Sequence, residues 1–157
     1  MNLLDRIFRR APRPVLNTGR VLTCQEVIEQ VGFPVHTADD TYDQVTRAWL
    51  DVFYADYKET LFRQGVVHWE PTFDCDNFAS FYVALANVRH FTATWGRSDA
   101  AQSLALAEYW YRPNGGTAGH AIVLALTEYG QVFIEPQSGR EIHLSADEQQ
   151  TRYLVKF

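Results

Sequence analysis

The stretch that begins at Phe78 is apolar on almost every face of a helix, and this pattern predicts a buried helix. Asp74 is suited to the N-cap position, because its carboxylate can accept hydrogen bonds from free N–H groups of the first turn. Phe73 and Phe78 stand at the two positions of a hydrophobic staple. The sequence therefore predicts a helix over about 75–90, with Cys75 in its first turn.

Two further helices are predicted upstream. Thr23 and Glu26 form a capping box that opens a short helix at about 24–31. Apolar residues then recur at helical spacing from Tyr42 to Tyr57 and predict a longer helix that ends near Gly65.

The pattern changes to strands in the last third of the chain. The segment 120–127 is apolar on both faces, which predicts a central strand covered on both sides. Turn residues separate it from other strand-like segments, which lie at about 104–112, 131–135, 140–144 and 152–157. Helices followed by a meander indicate an α+β fold, in which N-terminal helices and a central Cys-bearing helix pack on a C-terminal antiparallel sheet. We expect one domain over 1–157, with 1–20 as an N-terminal extension and connector.

Composition narrows the functional classes. A formal charge of −5 argues against general nucleic-acid binding. No run of 18 apolar residues is present, so no membrane span is expected. The first ten residues contain too short an apolar stretch for a secretory signal and are interpreted as a docked turn. Two cysteines do not make a disulfide framework, and a cytoplasmic protein with reduced thiols is expected. Cys24 is interpreted as a structural thiol.

Three residues could form a catalytic set. Cys75 stands at the positive end of a helix dipole, which favours a thiolate. His120 begins the predicted central strand, and a hairpin centred on 128–130 places Glu135 and Gln137 beside it. A carboxylate or amide there can orient the imidazole, which can then deprotonate the thiol. The sequence leaves open which of the two is the third member.

The order and local sequence of these residues resemble the papain-like and transglutaminase-like cysteine peptidases. The segments around Asp74-Cys-Asp, Gly119-His and Ile134-Glu-Pro-Gln are most similar to the C-terminal peptidase domain of the Marasmius agglutinin and its stand-alone phage and bacterial relatives. The resemblance implies a papain-like domain, a Cys75, His120 and Glu135 triad, a peptide or protein substrate and dependence on calcium. The sequence shows no threefold repeat, so the sugar-binding β-trefoil of that agglutinin is not expected here.

The residues beside Cys75 raise two further questions. Asp74 and Asp76 oppose a thiolate by like-charge repulsion, which a bound Ca²⁺ would remove. The alternative is that they are only a cap and a first-turn acid, with no cofactor required. The backbone N–H of Cys75 is a candidate oxyanion donor, and the indole of Trp69 is a candidate for the second.

The leading hypothesis is a cysteine peptidase or related thiol acyl-transfer hydrolase. One alternative is a peptidoglycan amidase or endopeptidase of the NlpC/P60 or CHAP type, which shares the order of Cys and His. The other is a non-catalytic phage or bacterial binding module that keeps the fold, with Cys75 inert.

Overall fold

The computed structural model describes residues 14–32 and 35–157. The predicted turn at the N-terminus lies outside these ranges. Within them the chain forms eight strands and four α-helices. The strands are β1 (Asn17–Thr23), β2 (Thr41–Val45), β3 (Ser103–Leu104), β4 (Leu106–Tyr111), β5 (His120–Thr127), β6 (Gly130–Glu135), β7 (Arg140–Ile142) and β8 (Leu154–Lys156). The helices are α1 (Cys24–Val31), α2 (Arg47–Arg63), α3 (Cys75–Thr94) and α4 (Ala146–Gln150). No helix in the described ranges is long and apolar enough to cross a membrane.

All eight strands belong to one mixed sheet. Its main path runs β1-β2-β5-β4-β8, while β6 and β7 continue from β5, and β3 pairs with β2. The strand β2 is parallel to both β3 and β5, and the other pairs are antiparallel.

The predicted fold class is therefore wrong in its architecture. The N-terminal part is not a helical layer on a C-terminal antiparallel sheet of papain-like type, because β1 and β2 are strands of the sheet itself. The sequence pattern predicts a helix over 41–45, because Tyr42 and Val45 continue the helical spacing of α2. Four of its five residues are buried, and this burial between neighbouring strands overrides the local pattern.

The sheet buries a hydrophobic core on each face. On β5, Ala121, Val123 and Ala125 belong to a cluster that contains α2 and α3. The alternate residues Ile122, Leu124 and Leu126 belong to a second cluster that contains α1 and β8. The prediction that this strand is central and covered on both sides is confirmed.

Candidate functional site

The start of α3 has the local structure that the sequence predicts. Asp74 is the N-cap, and its backbone N–H donates to Asn77 Oδ1 at 3.2 Å. The rings of Phe73 and Phe78 pack edge to face with centroids 4.8 Å apart, which is the predicted staple. These contacts fix the position of Cys75 in the first turn.

A tight turn leads the chain into α3. Glu70 and Phe73 exchange two backbone hydrogen bonds, of 3.2 and 2.9 Å, across Pro71 and Thr72. Proline disfavours helical backbone in the residue before it, so Glu70 is held extended and the helix cannot begin earlier. The turn also presents the side chain of Trp69, which is half exposed, outside the core.

His120 and Glu135 meet at the edge where β5 begins and β6 ends. His120 Nε2 and Glu135 Oε2 lie 2.7 Å apart, and both side chains are about three-quarters buried. Glu135 Oε1 accepts from the backbone N–H of Gln137 at 3.2 Å. The structure thus brings Glu135, and not the amide of Gln137, to the imidazole.

Two tyrosines lie near the start of β5. The ring of Tyr111 lies 5.9 Å from that of His120, and burial raises the pKa of Tyr111 to about 12. Gly119 lies against the hydroxyl of Tyr153, where a Cβ atom would come within 2.1 Å. A residue larger than glycine at position 119 would therefore displace Tyr153.

Cys75 does not join this hydrogen-bonded pair. Its side chain is half buried and packs against the first hydrophobic cluster. Among the described residues, its thiol makes no hydrogen bond. The structure therefore joins His120 and Glu135 of the predicted set by a hydrogen bond, and among the described residues Cys75 has none with either.

Asp74 and Asp76 form a close acidic pair beside the thiol. One carboxylate oxygen of each lies within 4.8 Å of the other and of Cys75 Sγ. A hydrogen bond with the Asp74 side chain raises the pKa of Asp76, and partial burial adds to the shift. Of the described residues, these three are the group of acidic, cysteine or histidine side chains whose donor atoms lie close enough together to share an ion. Two carboxylates suit a hard cation, whereas a thiol does not.

A groove of about 300 Å³ lies beside the start of α3. Phe78, one turn beyond Cys75, contributes to one wall, and Pro136 and Gln137, directly after Glu135, contribute to the other. The remaining lining comes from the end of α2 and the segment that follows it: Tyr57, Lys58, Leu61, Phe62, Val66, Val67, His68 and Trp69. Phe62, Val67 and Trp69 are at least half exposed.

Contacts with α2 fix the loop that carries Gln137. Tyr54 donates its hydroxyl to the carbonyl of Gln137 at 2.9 Å. The ring of Tyr54 lies so close to Gly139 that a Cβ atom there would come within 2.4 Å of it. The loop, and Glu135 before it, are therefore fixed by a helix distant in sequence.

The sequence analysis does not predict this groove, although it names Trp69, one of the lining residues, as a candidate oxyanion donor. The signal was present in Phe62 and Val67, which are large apolar residues on either side of the helix-ending Gly65. Phe62 is 70% exposed and Val67 is 62% exposed, so neither serves the core. Exposed apolar residues that cluster in this way mark binding surfaces.

Comparison with known proteins identifies the fold. The chain is similar to the structure of a complex of the lectin PSL1a with E64, with a TM-score of 0.65 and 17% identity over 87% of this chain and 50% of that one. It is also similar to Polyporus squamosus lectin bound to the influenza-binding epitope Neu5Aca2-6Galb1-4GlcNAc, with a TM-score of 0.63 and 18% identity over 87% and 49%. The chain spans about half the length of these structures. No family model and no curated protein matches it.

These similarities establish a fold shared with chains of lectin structures. They contradict the assignment to the papain-like or transglutaminase-like peptidases and to the peptidase domain of the Marasmius agglutinin. They also contradict the predictions of an enzyme, of a hydrolase and of a cysteine peptidase with a catalytic triad. A peptide or protein substrate is not supported.

Proposed function

We propose that this chain is a non-catalytic binding module whose ligand lies in the groove beside α3. The observation that carries the proposal is the exposure of Phe62, Val67 and Trp69 along one groove, whose lining also includes Phe78 and Gln137. Exposed aromatic rings next to a few oriented polar groups are typical of ligand sites.

The chemistry of the groove suits a saccharide. The C–H faces of a sugar ring can pack on the rings of Trp69 and Phe62. The polar side chains that line the same groove belong to Lys58, His68 and Gln137, and they can donate to ring hydroxyls. The saccharide that is named for one structural neighbour supports this class of ligand.

The hydrogen bonds of Glu135 support the side of the groove that Gln137 lines. Glu135 accepts from the imidazole of His120 and from the backbone N–H of Gln137, which fixes the start of the loop that carries Gln137. Loss of the His120 contact is therefore expected to weaken binding through the position of Gln137.

The test is a titration with Neu5Aca2-6Galb1-4GlcNAc, followed by isothermal calorimetry and by saturation-transfer NMR. Binding should be lost in Trp69→Ala, because the stacking surface is removed. Tyr129→Ala is the matched control, since Tyr129 is an exposed aromatic residue that lies outside the groove. Equal binding by the two variants, or no binding by the natural sequence, contradicts the proposal.

E64, which is named for the other neighbour, provides a second probe. The protein is incubated with E64 and desalted, and retention is read by intact mass in the natural sequence and in Cys75→Ala. Under the proposal, E64 leaves both proteins on desalting. Retention that depends on Cys75, in the absence of saccharide binding, would overturn the proposal and make the thiol the centre of function.

We also propose that Asp74 and Asp76 hold Ca²⁺ when it is present. Support comes from the close approach of the two carboxylates. Their hydrogen bond, partial burial and mutual repulsion raise the pKa of Asp76, and a bound cation would favour the charged form of both groups. Calcium takes about six to eight oxygen ligands, so water must complete the set. Calcium should raise the melting temperature of the natural sequence and not that of Asp76→Asn. An equal rise in both proteins would assign the effect to another site.

A further inference from the structure

A second pocket lies at the other end of α3. It has a volume of about 480 Å³ and is lined by Asn87, His90, Phe91, Thr94, Trp95, Gly96, Arg97, Ala100, Ala101 and Gln102. His90 stands fifteen residues after Cys75, which corresponds to roughly 22 Å along a helix. The pocket is therefore separate from the groove of the proposed function, and the inference from it does not rest on that function.

The base of the pocket is built from a buried polar pair. His90 is 3% exposed, and its Nε2 lies 2.8 Å from Oδ2 of the equally buried Asp43. The same carboxylate oxygen accepts from Asn17 at 2.8 Å. A buried ionisable pair is costly and contributes little net stability compared with apolar residues of the same size. Its presence beneath a surface pocket points to a role in holding the pocket's shape and polarity.

Two side-chain amides of the pocket, those of Asn87 and Gln102, are oriented by hydrogen bonds to their oxygen atoms. Asn87 Oδ1 accepts from the backbone N–H of Leu104 at 3.0 Å. Gln102 Oε1 accepts from the backbone N–H groups of Asp40 and Thr41, at 2.8 and 3.2 Å. In the described part of the chain, neither amide nitrogen donates a hydrogen bond. Both NH₂ groups are therefore available to a ligand.

The remaining lining supplies a cation and an aromatic wall. Arg97 is paired with Asp99 by two hydrogen bonds, of 3.1 and 2.9 Å, at an exposed position. A guanidinium has five N–H donors, so donors remain after this pairing. Phe91 and Trp95 pack edge to face with centroids 4.8 Å apart, and both are more than half exposed. No acidic side chain lines the pocket.

We propose that this pocket is a second ligand site, which binds a small carboxylate that carries an aromatic ring. The carboxylate accepts from Arg97 and from the amides of Asn87 and Gln102. The ring of the ligand packs on Trp95 and Phe91. The ligand must be an anion with several hydrogen-bond acceptors, because the oriented groups of the pocket are hydrogen-bond donors. Arg97 would repel a cation.

The experiment uses benzoate as the probe, with benzamide as the neutral isostere and benzylamine as the cation. Titrations of the ¹⁵N-labelled protein are followed by NMR, and the indole N–H signal of Trp95 is assigned with Trp95→Ala. Benzoate should shift the signals of Trp95 and of its neighbours, and benzamide should bind about tenfold more weakly because it lacks the charge. Benzylamine should not bind at this pocket.

Two variants and two controls complete the test. Arg97→Gln and Trp95→Ala should each weaken benzoate binding about tenfold. Arg63→Gln is the matched control, since Arg63 is also exposed and paired with an acid, and Trp69→Ala controls for the groove. Equal binding of benzoate and benzamide, the same loss in Arg63→Gln, or no shift at Trp95 would overturn the proposal.

Discussion

At the scale of single residues, two buried tyrosines in the core differ in one hydrogen bond. The hydroxyl of Tyr57 donates to the carbonyl of Phe78 at 3.0 Å. The hydroxyl of Tyr82 is buried and has no partner among the described residues. Burial raises the pKa of both, so both are neutral at physiological pH. An unsatisfied buried hydroxyl costs free energy that a satisfied one does not.

The two phenylalanine substitutions should therefore have opposite effects. Tyr82→Phe removes the unpaired hydroxyl and should leave the free energy of unfolding unchanged or raise it by about 1 kcal/mol. Tyr57→Phe leaves the carbonyl of Phe78 without its partner and should lower the free energy of unfolding by about 1 kcal/mol. Urea denaturation of the two variants checks both values. Equal losses would show that Tyr82 has a partner in solution.

The acidic pair at the start of α3 should produce a pH dependence of stability. Asp74 raises the pKa of Asp76 in the folded state above its usual value of 3.8, so the folded protein binds this proton more tightly than the unfolded chain. Stability linked to Asp76 therefore falls as the pH rises through the raised pKa. Without calcium, Asp76→Asn should be more stable than the natural sequence at pH 7, and the difference should shrink toward pH 3.8.

Thermal melts across this range give the measurement. Asp147→Asn is the control, because Asp147 is also a first-turn aspartate, in α4. If the stability difference between Asp76→Asn and the natural sequence grew on acidification, the pKa of Asp76 would not be raised in the folded state.

Sequence reasoning was most successful at this scale. The cap at Asp74, the staple beside it and the pairing of His120 with Glu135 follow from short-range rules and from the register of one hairpin. The distance between Cys75 and His120 depends on how α3 packs on the sheet, and no local pattern encodes that distance. That the thiol of Cys75 meets the imidazole of His120 therefore stays a prediction, because tertiary packing decides it.

At the scale of elements, the loop after β6 depends on α2. The backbone of Gly139 has a φ of 70°, and the ring of Tyr54 fills the space that a side chain would occupy. Gly96 has a similar φ of 77° with open space around it. The two glycines therefore separate the cost of backbone strain from the cost of a clash.

Gly139→Ala should lower the free energy of unfolding by more than Gly96→Ala. The strain of positive φ alone costs about 1 kcal/mol in each. Displacement of the Tyr54 ring should add about 1–3 kcal/mol at Gly139, as overpacking does elsewhere. Chemical denaturation of both variants measures the difference, and equal losses would show that the ring moves aside freely.

The helices show where element prediction succeeds. The predicted helix over 24–31 matches α1, because a capping box fixes its start and Gly32 follows its end. The strands β1 and β2 were missed because their burial comes from neighbours far along the chain. The hairpin of β5 and β6 was found because its turn is local, and Val123 pairs with Ile134 in the register that the turn predicts.

At the scale of the whole molecule, one buried carboxylate connects three elements. Asp43 on β2 accepts hydrogen bonds from Asn17 on β1 and from His90 on α3. Removal of one partner of a buried pair is costly, because the other partner loses its compensation. A single domain over 1–157 and a cytoplasmic location stay predictions at this scale.

His90→Leu should lower the free energy of unfolding by about 3–5 kcal/mol. The exposed pair of His68 and Glu70 has a similar separation of 2.7 Å, and His68→Leu should cost less than about 1 kcal/mol. Asp43→Asn in the His90→Leu background should restore part of the loss, since it removes the stranded charge. A loss in His90→Leu no larger than that in His68→Leu would show that the pair is not buried in solution.

The parallel pairing of β2 also has a consequence for synthesis on the ribosome. On one side β2 pairs with β1, which is made before it, and on the other side it pairs with β3 and β5, where Val45 pairs with Thr127, eighty-two residues later. One edge of β2 therefore stays unpaired until most of the chain has been made. Long-range pairing of this kind is slow and leaves strand edges exposed to aggregation. The nascent chain should bind chaperones through the residues around Tyr42, and release should coincide with the emergence of β5.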